Sequence, residues 1–204
     1  MKQYETATRF LAALDKDWAM LIEAVGPCGL ELKAEREPYE ALVRAVAYQQ
    51  LHGKAADAII GRLLNLNAGR IPLPEQMLKL EFDALRACGF SGRKIETIKG
   101  IAEGTLSGLV PNRLSAESMP DNELIERLVS LRGIGRWTVE MLLMFTLARQ
   151  DILPVDDLGV REGYRRLKGL AVAPTPKALR QLGEAWSPYR TIASWYLWRV
   201  PTSL

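Results

Sequence analysis

Two glycines one residue apart, Gly133 and Gly135, interrupt an apolar helical pattern, and no other stretch restricts the fold as much. Leu124, Leu128 and Leu131 recur at helical spacing ahead of them, and Val139, Leu142, Leu143, Phe145 and Thr146 resume the pattern beyond. The spacing predicts two helices joined by a glycine hairpin. A turn this tight needs at least one residue at positive φ, which glycine adopts without Cβ strain. The first amides of the second helix lack intrahelical partners and sit at the positive end of its dipole, so a phosphate fits there. Thr138 offers a hydroxyl beside those amides, and Arg136 a positive charge in the same turn. A plain helix–helix turn meets the same pattern, so the glycines alone do not establish an anion site.

About twenty residues further on, Pro154-Val155-Asp156-Asp157 leads into another helical run, Leu158, Val160, Tyr164 and Leu167. Paired acids there can cap the helix or do chemistry. With LRGIGRWTVEMLL and LPVDDLGVREG in hand, together with YQQLHGKAA upstream and WSPYRTIASWYLW near the C-terminus, the chain resembles the helix-hairpin-helix DNA glycosylases that carry a Gly/Pro-rich loop and an aspartate. Within them it is most similar to the alkylation-repair branch, the 3-methyladenine DNA glycosylase II type. The motifs run from Tyr39 to Trp198 in the family's order.

The resemblance implies an all-α fold, a helical two-lobed bundle with a helix-hairpin-helix motif. Residues 1–204 then form a single glycosylase domain, with an active-site cleft between the lobes and no N-terminal α/β domain of the kind that well-known bacterial relatives carry. Of the two acids, Asp157 is the catalytic candidate, twenty residues after Trp137 and three before Val160 as the family pattern wants, and Asp156 is the expected cap. Trp137 stands where bifunctional members carry a Schiff-base lysine, so base removal without strand cleavage is expected. No cysteine follows Cys88, which leaves no ligands for the C-terminal iron–sulfur cluster of the endonuclease III branch.

Alkylated purines are cationic and favour electron-rich aromatic faces. Trp137, Trp198 and Tyr48 are the candidates for that face, while Trp186, Trp195 and Tyr196 read as core aromatics at helical spacing. The polar link Tyr48-Gln49-Gln50-Leu51-His52-Gly53 is either a solvated interhelical loop or, as the resemblance implies, the element that enters the minor groove. Leu51 is then the wedge that fills the gap left by the extruded base, with Gln50 and His52 on flanking bases or backbone.

Composition narrows the setting. With 48% apolar and 25% charged residues the chain can build a core, and a net charge of +3 permits a polyanionic partner without proving one. Cys28 and Cys88 are too few for a disulfide framework or a zinc knuckle. The N-terminus lacks the continuous apolar stretch of a secretory signal, and no run approaches the length of a membrane span.

In chain order, helices are expected from Glu5 to Val25 with a break near Asp15 to Asp17, from Pro38, through Ile59 to Leu64, over Glu75 to Leu80 and Glu81 to Cys88, and from Ser91 to about Glu103. Arg93 and Lys94 make a basic helix start, of a kind that is solvated or touches a phosphate. Pro72-Leu73-Pro74 is the best boundary signal, and Ser118 or Asp121 the expected cap of the helix entering the hairpin. Arg161, Arg165, Arg166 and Lys168 follow the aspartates. Thr175-Pro176 and Ser187-Pro188 read as caps of the last two helices.

The expected activity is that of a monofunctional DNA glycosylase excising 3-methyladenine and 7-methylguanine from duplex DNA, acting as a monomer without cofactor, metal or membrane, in the cytoplasm at a bacterial nucleoid or in a nucleus. The alternative is a helix-hairpin-helix module that binds damaged or branched DNA without cleaving it. A glycosylase for mismatched or oxidised bases is a third reading.

Overall fold

A computed structural model describes residues 4–51 and 53–201; His52 lies outside the described residues. The helices are α1 (Glu5–Ala12), α2 (Lys16–Val25), α3 (Pro38–Tyr48), α4 (Gly53–Asn65), α5 (Pro74–Lys79), α6 (Phe82–Ala87), α7 (Gly92–Leu106), α8 (Arg113–Ser118), α9 (Asp121–Val129), α10 (Arg136–Met141), α11 (Leu158–Leu167), α12 (Pro176–Leu182) and α13 (Arg190–Leu197). A π-helical turn, Leu142–Thr146, extends α10, and a 3-10 turn, Gly183–Trp186, follows α12. The fold is all-α, and the described residues contain no strand. None of the described helices is long and apolar enough to cross a membrane.

The chain divides into two compact units, one of Met1–Leu32 with Ala148–Leu204 and one of Lys33–Leu147. The Pro72-Leu73-Pro74 signal is therefore not a boundary; it falls inside the second unit. Ile71 and Pro72 are buried, and the Tyr39 hydroxyl donates to the Pro72 carbonyl at 2.9 Å, so the prolines punctuate a loop that is packed down.

In the unit Lys33–Leu147, α7 is the long element, capped by Ser91, whose hydroxyl accepts from the Lys94 amide. Its Ile95, Ile98, Ile101 and Ala102 are buried, and it packs on α3 and α5. The hairpin between α9 and α10 is pinned to the core by Ile134, 4% exposed. Gly133 sits at φ +84°, and a Cβ there would lie 2.2 Å from Thr97 Oγ1 of α7, so both its backbone angle and its neighbour exclude a side chain. The cap of the entering helix differs from expectation. Ser118 ends α8, a short helix that the apolar pattern does not reveal, and Pro120 precedes α9 with Asp121 as its first residue.

In the unit Met1–Leu32 with Ala148–Leu204, Asp15 breaks the first helical run by capping α2, its Oδ1 accepting from the Asp17 and Trp18 amides. The Trp18 ring meets that of Trp186 edge-on with centroids 5.5 Å apart, and the Tyr164 ring lies tilted against it at 5.6 Å; together they form the core behind α11. The expected cap at Ser187 is a further correction. Its hydroxyl donates to Asp151 Oδ2, and the Asp151 carboxylate also accepts from the Arg190 amide at 3.2 Å and its guanidinium at 2.7 and 2.8 Å. A carboxylate from another segment thus closes the start of α13. Burial pushes the Asp151 carboxyl up, but the Arg190 and Ser187 donors outweigh it and hold it below the ordinary value.

The approach of α11 to α13 is set by Gly163, where a Cβ would lie 2.0 Å from the Leu197 carbonyl oxygen. Gly→Ala in a helix interior ordinarily gains about 1 kcal/mol. Gly163→Ala is expected to do the opposite and lower the melting temperature, by about 1–3 kcal/mol of overpacking. A thermal melt checks this, and a stabilised variant would show that α13 can move away without cost.

Candidate active site and DNA interface

Asp157 ends a segment that is fastened from behind. The Thr191 amide donates to the Gln150 carbonyl at 2.9 Å, the Thr191 hydroxyl donates to the Arg149 carbonyl at 2.7 Å, and the same hydroxyl accepts from the Ile152 amide at 3.0 Å. Pro154 and Val155 are buried, and the Asp157 amide turns back onto the Pro154 carbonyl. The carboxylate that emerges is half-buried.

Its Oδ1 accepts from the Val160 amide at 2.8 Å and from the Trp198 indole N–H at 2.9 Å. The first bond makes Asp157 the cap of α11, which corrects the assignment of that role to Asp156; Asp156 is exposed and precedes the cap. Capping does not compete with chemistry here. A cap bond and an indole donor on one oxygen fix the rotamer of the carboxylate, and a carboxylate so fixed can face a developing cation without reorganising. Trp198 reaches it because Gly159 leaves room: a Cβ there would lie 2.9 Å from Trp198 Cδ1 and 3.1 Å from Asp157 Oδ1. Of the other aromatics near the C-terminus, Trp186, Trp195 and Tyr196 are buried as expected, with the Arg199 guanidinium 3.8 Å above the Trp195 ring.

The remaining candidates lie in the unit Lys33–Leu147. The Tyr48 ring is 42% exposed, and its hydroxyl donates to Asp57 of α4 across the loop. That bond, and then burial, push the phenol above its ordinary pKa. Gln50 takes φ +57°, a left-handed conformation uncommon for a residue with a side chain, and presents Leu51 at 40% exposure. In the hairpin Gly133, Gly135 and Arg136 are at the surface, with the Arg136 guanidinium 2.9 Å from Glu140. Trp137 is 38% exposed, whereas Thr138 is 4% exposed and sits beneath the surface. Gln49 Nε2 donates to the Gly133 carbonyl at 3.1 Å, joining loop to hairpin. A cavity of about 470 Å³ lies between them, lined by Gln49, Gln50, Lys94, Thr97, Gly133 and Trp137 among others.

The sequence reading passes over Gly159, Gly163 and Gln49, and reads Lys94 only as part of a basic helix start that is solvated or touches a phosphate. The two glycines carried a signal in their four-residue spacing, one helical turn, which marks a close approach along one face of α11.

Residues 43–188 match the family described as HhH-GPD superfamily base excision DNA repair protein, and the chain belongs to that superfamily. It is 50% identical over 192 residues to DNA-3-methyladenine glycosylase 1 of Schizosaccharomyces pombe, covering 93% of this chain and 84% of that protein. To the alkylbase DNA glycosidase-like protein mag2 of the same yeast it is 36% identical, covering 97% and 94%. The solved structure of the S. pombe 3-methyladenine DNA glycosylase in complex with abasic DNA superposes with a TM-score of 0.88 at 48% identity, covering 95% of each chain.

Trp198→Phe removes the indole donor and keeps an aromatic ring. If that donor orients the carboxylate, single-turnover base release from damaged DNA should fall roughly tenfold to a hundredfold, the rate equivalent of about 1.5–3 kcal/mol for a hydrogen bond to a charged group. A loss smaller than about twofold would show that the cap bond alone suffices.

Proposed function

We propose that this chain is a monofunctional DNA glycosylase that removes alkylated purines, 3-methyladenine and 7-methylguanine, from duplex DNA by base flipping and hydrolysis of the N-glycosidic bond. The observation that carries the reading is the Asp157 carboxylate, anchored through Val160 and Trp198 at the end of a segment held from behind. The substrate class is supported by the yeast relative at 50% identity, named a 3-methyladenine glycosylase.

The division of labour follows from the residues. The hairpin amides at Gly135 and beyond, with Arg136, hold a backbone phosphate; such contacts position the duplex and carry no sequence information. Leu51 enters the stack as the base leaves it, and Gln50 and His52 contact its surroundings. Trp137, Trp198 and Tyr48 are the candidates to offer the cationic base an aromatic face.

As the bond between C1′ and the base nitrogen breaks, its electron pair leaves with the base, which departs neutral because it was positively charged. Positive charge then develops on the sugar, where the Asp157 carboxylate stabilises it while water adds to C1′ and loses a proton. The methylated base is already a good leaving group, so no protein acid has to protonate it. Trp137 offers no amine to attack C1′, and the product is an abasic site in an intact strand. The protein acts as a monomer on nucleoid or nuclear DNA.

Incubating the protein with methylated duplex DNA, beside duplexes carrying uracil, an adenine mismatch or 8-oxoguanine, tests the reading. Release of 3-methyladenine and 7-methylguanine with unbroken abasic strands is expected. Binding without release of any base would replace the enzyme with a non-catalytic DNA-binding module, and preferential release of uracil, adenine or 8-oxoguanine would overturn the substrate class.

A further inference from the structure

The loop that carries Leu51 leaves α3 at its C-terminal end, where the last carbonyls have no amide partners within the helix. An element that unstacks a duplex is pushed back by the stack it opens. A loop of this length resists only if its backbone is fastened.

The fastening comes from α7. Lys94 Nζ donates to the Ala47 carbonyl at 3.0 Å and to the Gln49 carbonyl at 2.8 Å. These carbonyls belong to the last turn and the cap of α3, the negative end of its dipole, where an ammonium is favoured. One turn along α7, Thr97 receives the Gly133 backbone, and on the surface Glu96 pairs with Arg132 at 3.1 Å. The first turns of α7 therefore carry the Leu51 loop and the hairpin on one rigid support, and the Gln49 side chain closes the circuit between them. Lys94 is half-buried, and its burial, which lowers its pKa, is a cost that a merely solvated surface lysine does not bear.

We infer that Lys94 is a positioning residue for strand opening: by holding the Ala47 and Gln49 carbonyls it locks the loop that drives Leu51 into the stack. The inference rests on the reading of Leu51 as the wedge. It places the work of Lys94 on the loop backbone rather than on a DNA phosphate, and it makes the contribution of Lys94 wholly dependent on Leu51.

That dependence is measurable in a double-mutant cycle of Lys94→Met and Leu51→Ala, read as single-turnover release of 7-methylguanine paired with cytosine. Methionine keeps the apolar stem and removes the donors. Lys94→Met should slow release about tenfold with Leu51 present and less than about twofold in the Leu51→Ala background, because interacting positions are non-additive. An equal loss in both backgrounds would overturn the inference and leave the wedge intact, showing that Lys94 acts elsewhere, as on a phosphate; no loss from Lys94→Met would overturn it too. No effect of Leu51→Ala itself would sink the wedge reading and the inference with it. Should Lys94→Met impair folding in a thermal melt, Lys94→Gln, which keeps a polar head but loses the charge and reach of the ammonium, runs the same cycle, with the same non-additivity expected and an equal loss in both backgrounds counting against the lock.

Discussion

One oxygen of the Asp157 carboxylate takes two hydrogen bonds, from the Val160 amide and the Trp198 indole, and most of its unit can be read as the means of bringing them together. The indole arrives on α13, and α13 comes close enough because α11 presents glycine at 159 and 163. Thr191 and Asp151 then tie the segment before Asp157 to the start of α13, so the carboxylate and its indole donor share one support. A charge in such a frame is oriented before any substrate arrives, and this is what electrostatic catalysis needs.

The unit Lys33–Leu147 solves a mechanical problem by similar means. A glycine without a side chain lets the hairpin backbone sit against Thr97, and a lysine from the same helix holds the neighbouring loop by its carbonyls. Backbone groups that helices leave unpaired thus serve two purposes. At the α3 end the Ala47 and Gln49 carbonyls are anchored by the Lys94 ammonium, and at the hairpin the role proposed for the first amides of α10 is to hold a phosphate.

Much of this was legible in the sequence. Apolar periodicity predicts the helices other than α8 and their approximate ends, the glycine pair predicts the hairpin, and an apolar residue between polar neighbours in a short link marks Leu51 as exposed. The errors share a cause. Asp156 and Asp157 differ by one position, and only the distance to the Val160 amide, three residues beyond the cap, separates them. Ser187 has the composition of a cap, but Asp151, thirty-six residues away, takes its hydroxyl. Lys94 looks like any basic residue in a first helical turn until the carbonyls of Ala47 and Gln49 are placed beside it. Local patterns specify local structure, whereas these partners are brought together by the tertiary fold.

We propose that the charge of Asp157 lowers the barrier to base loss, over and above its place in the fold. Asp157→Asn separates the two, because an amide oxygen can still accept from the Val160 and Trp198 donors while the negative charge is gone. The decisive measurement is single-turnover release of 7-methylguanine by this variant, run beside its affinity for the same duplex. DNA affinity should stay within about threefold of the parent protein while release slows by at least about a hundredfold, the range seen when a single electrostatic contact to a transition state is removed. Release at the parent rate, with affinity unchanged, would contradict it.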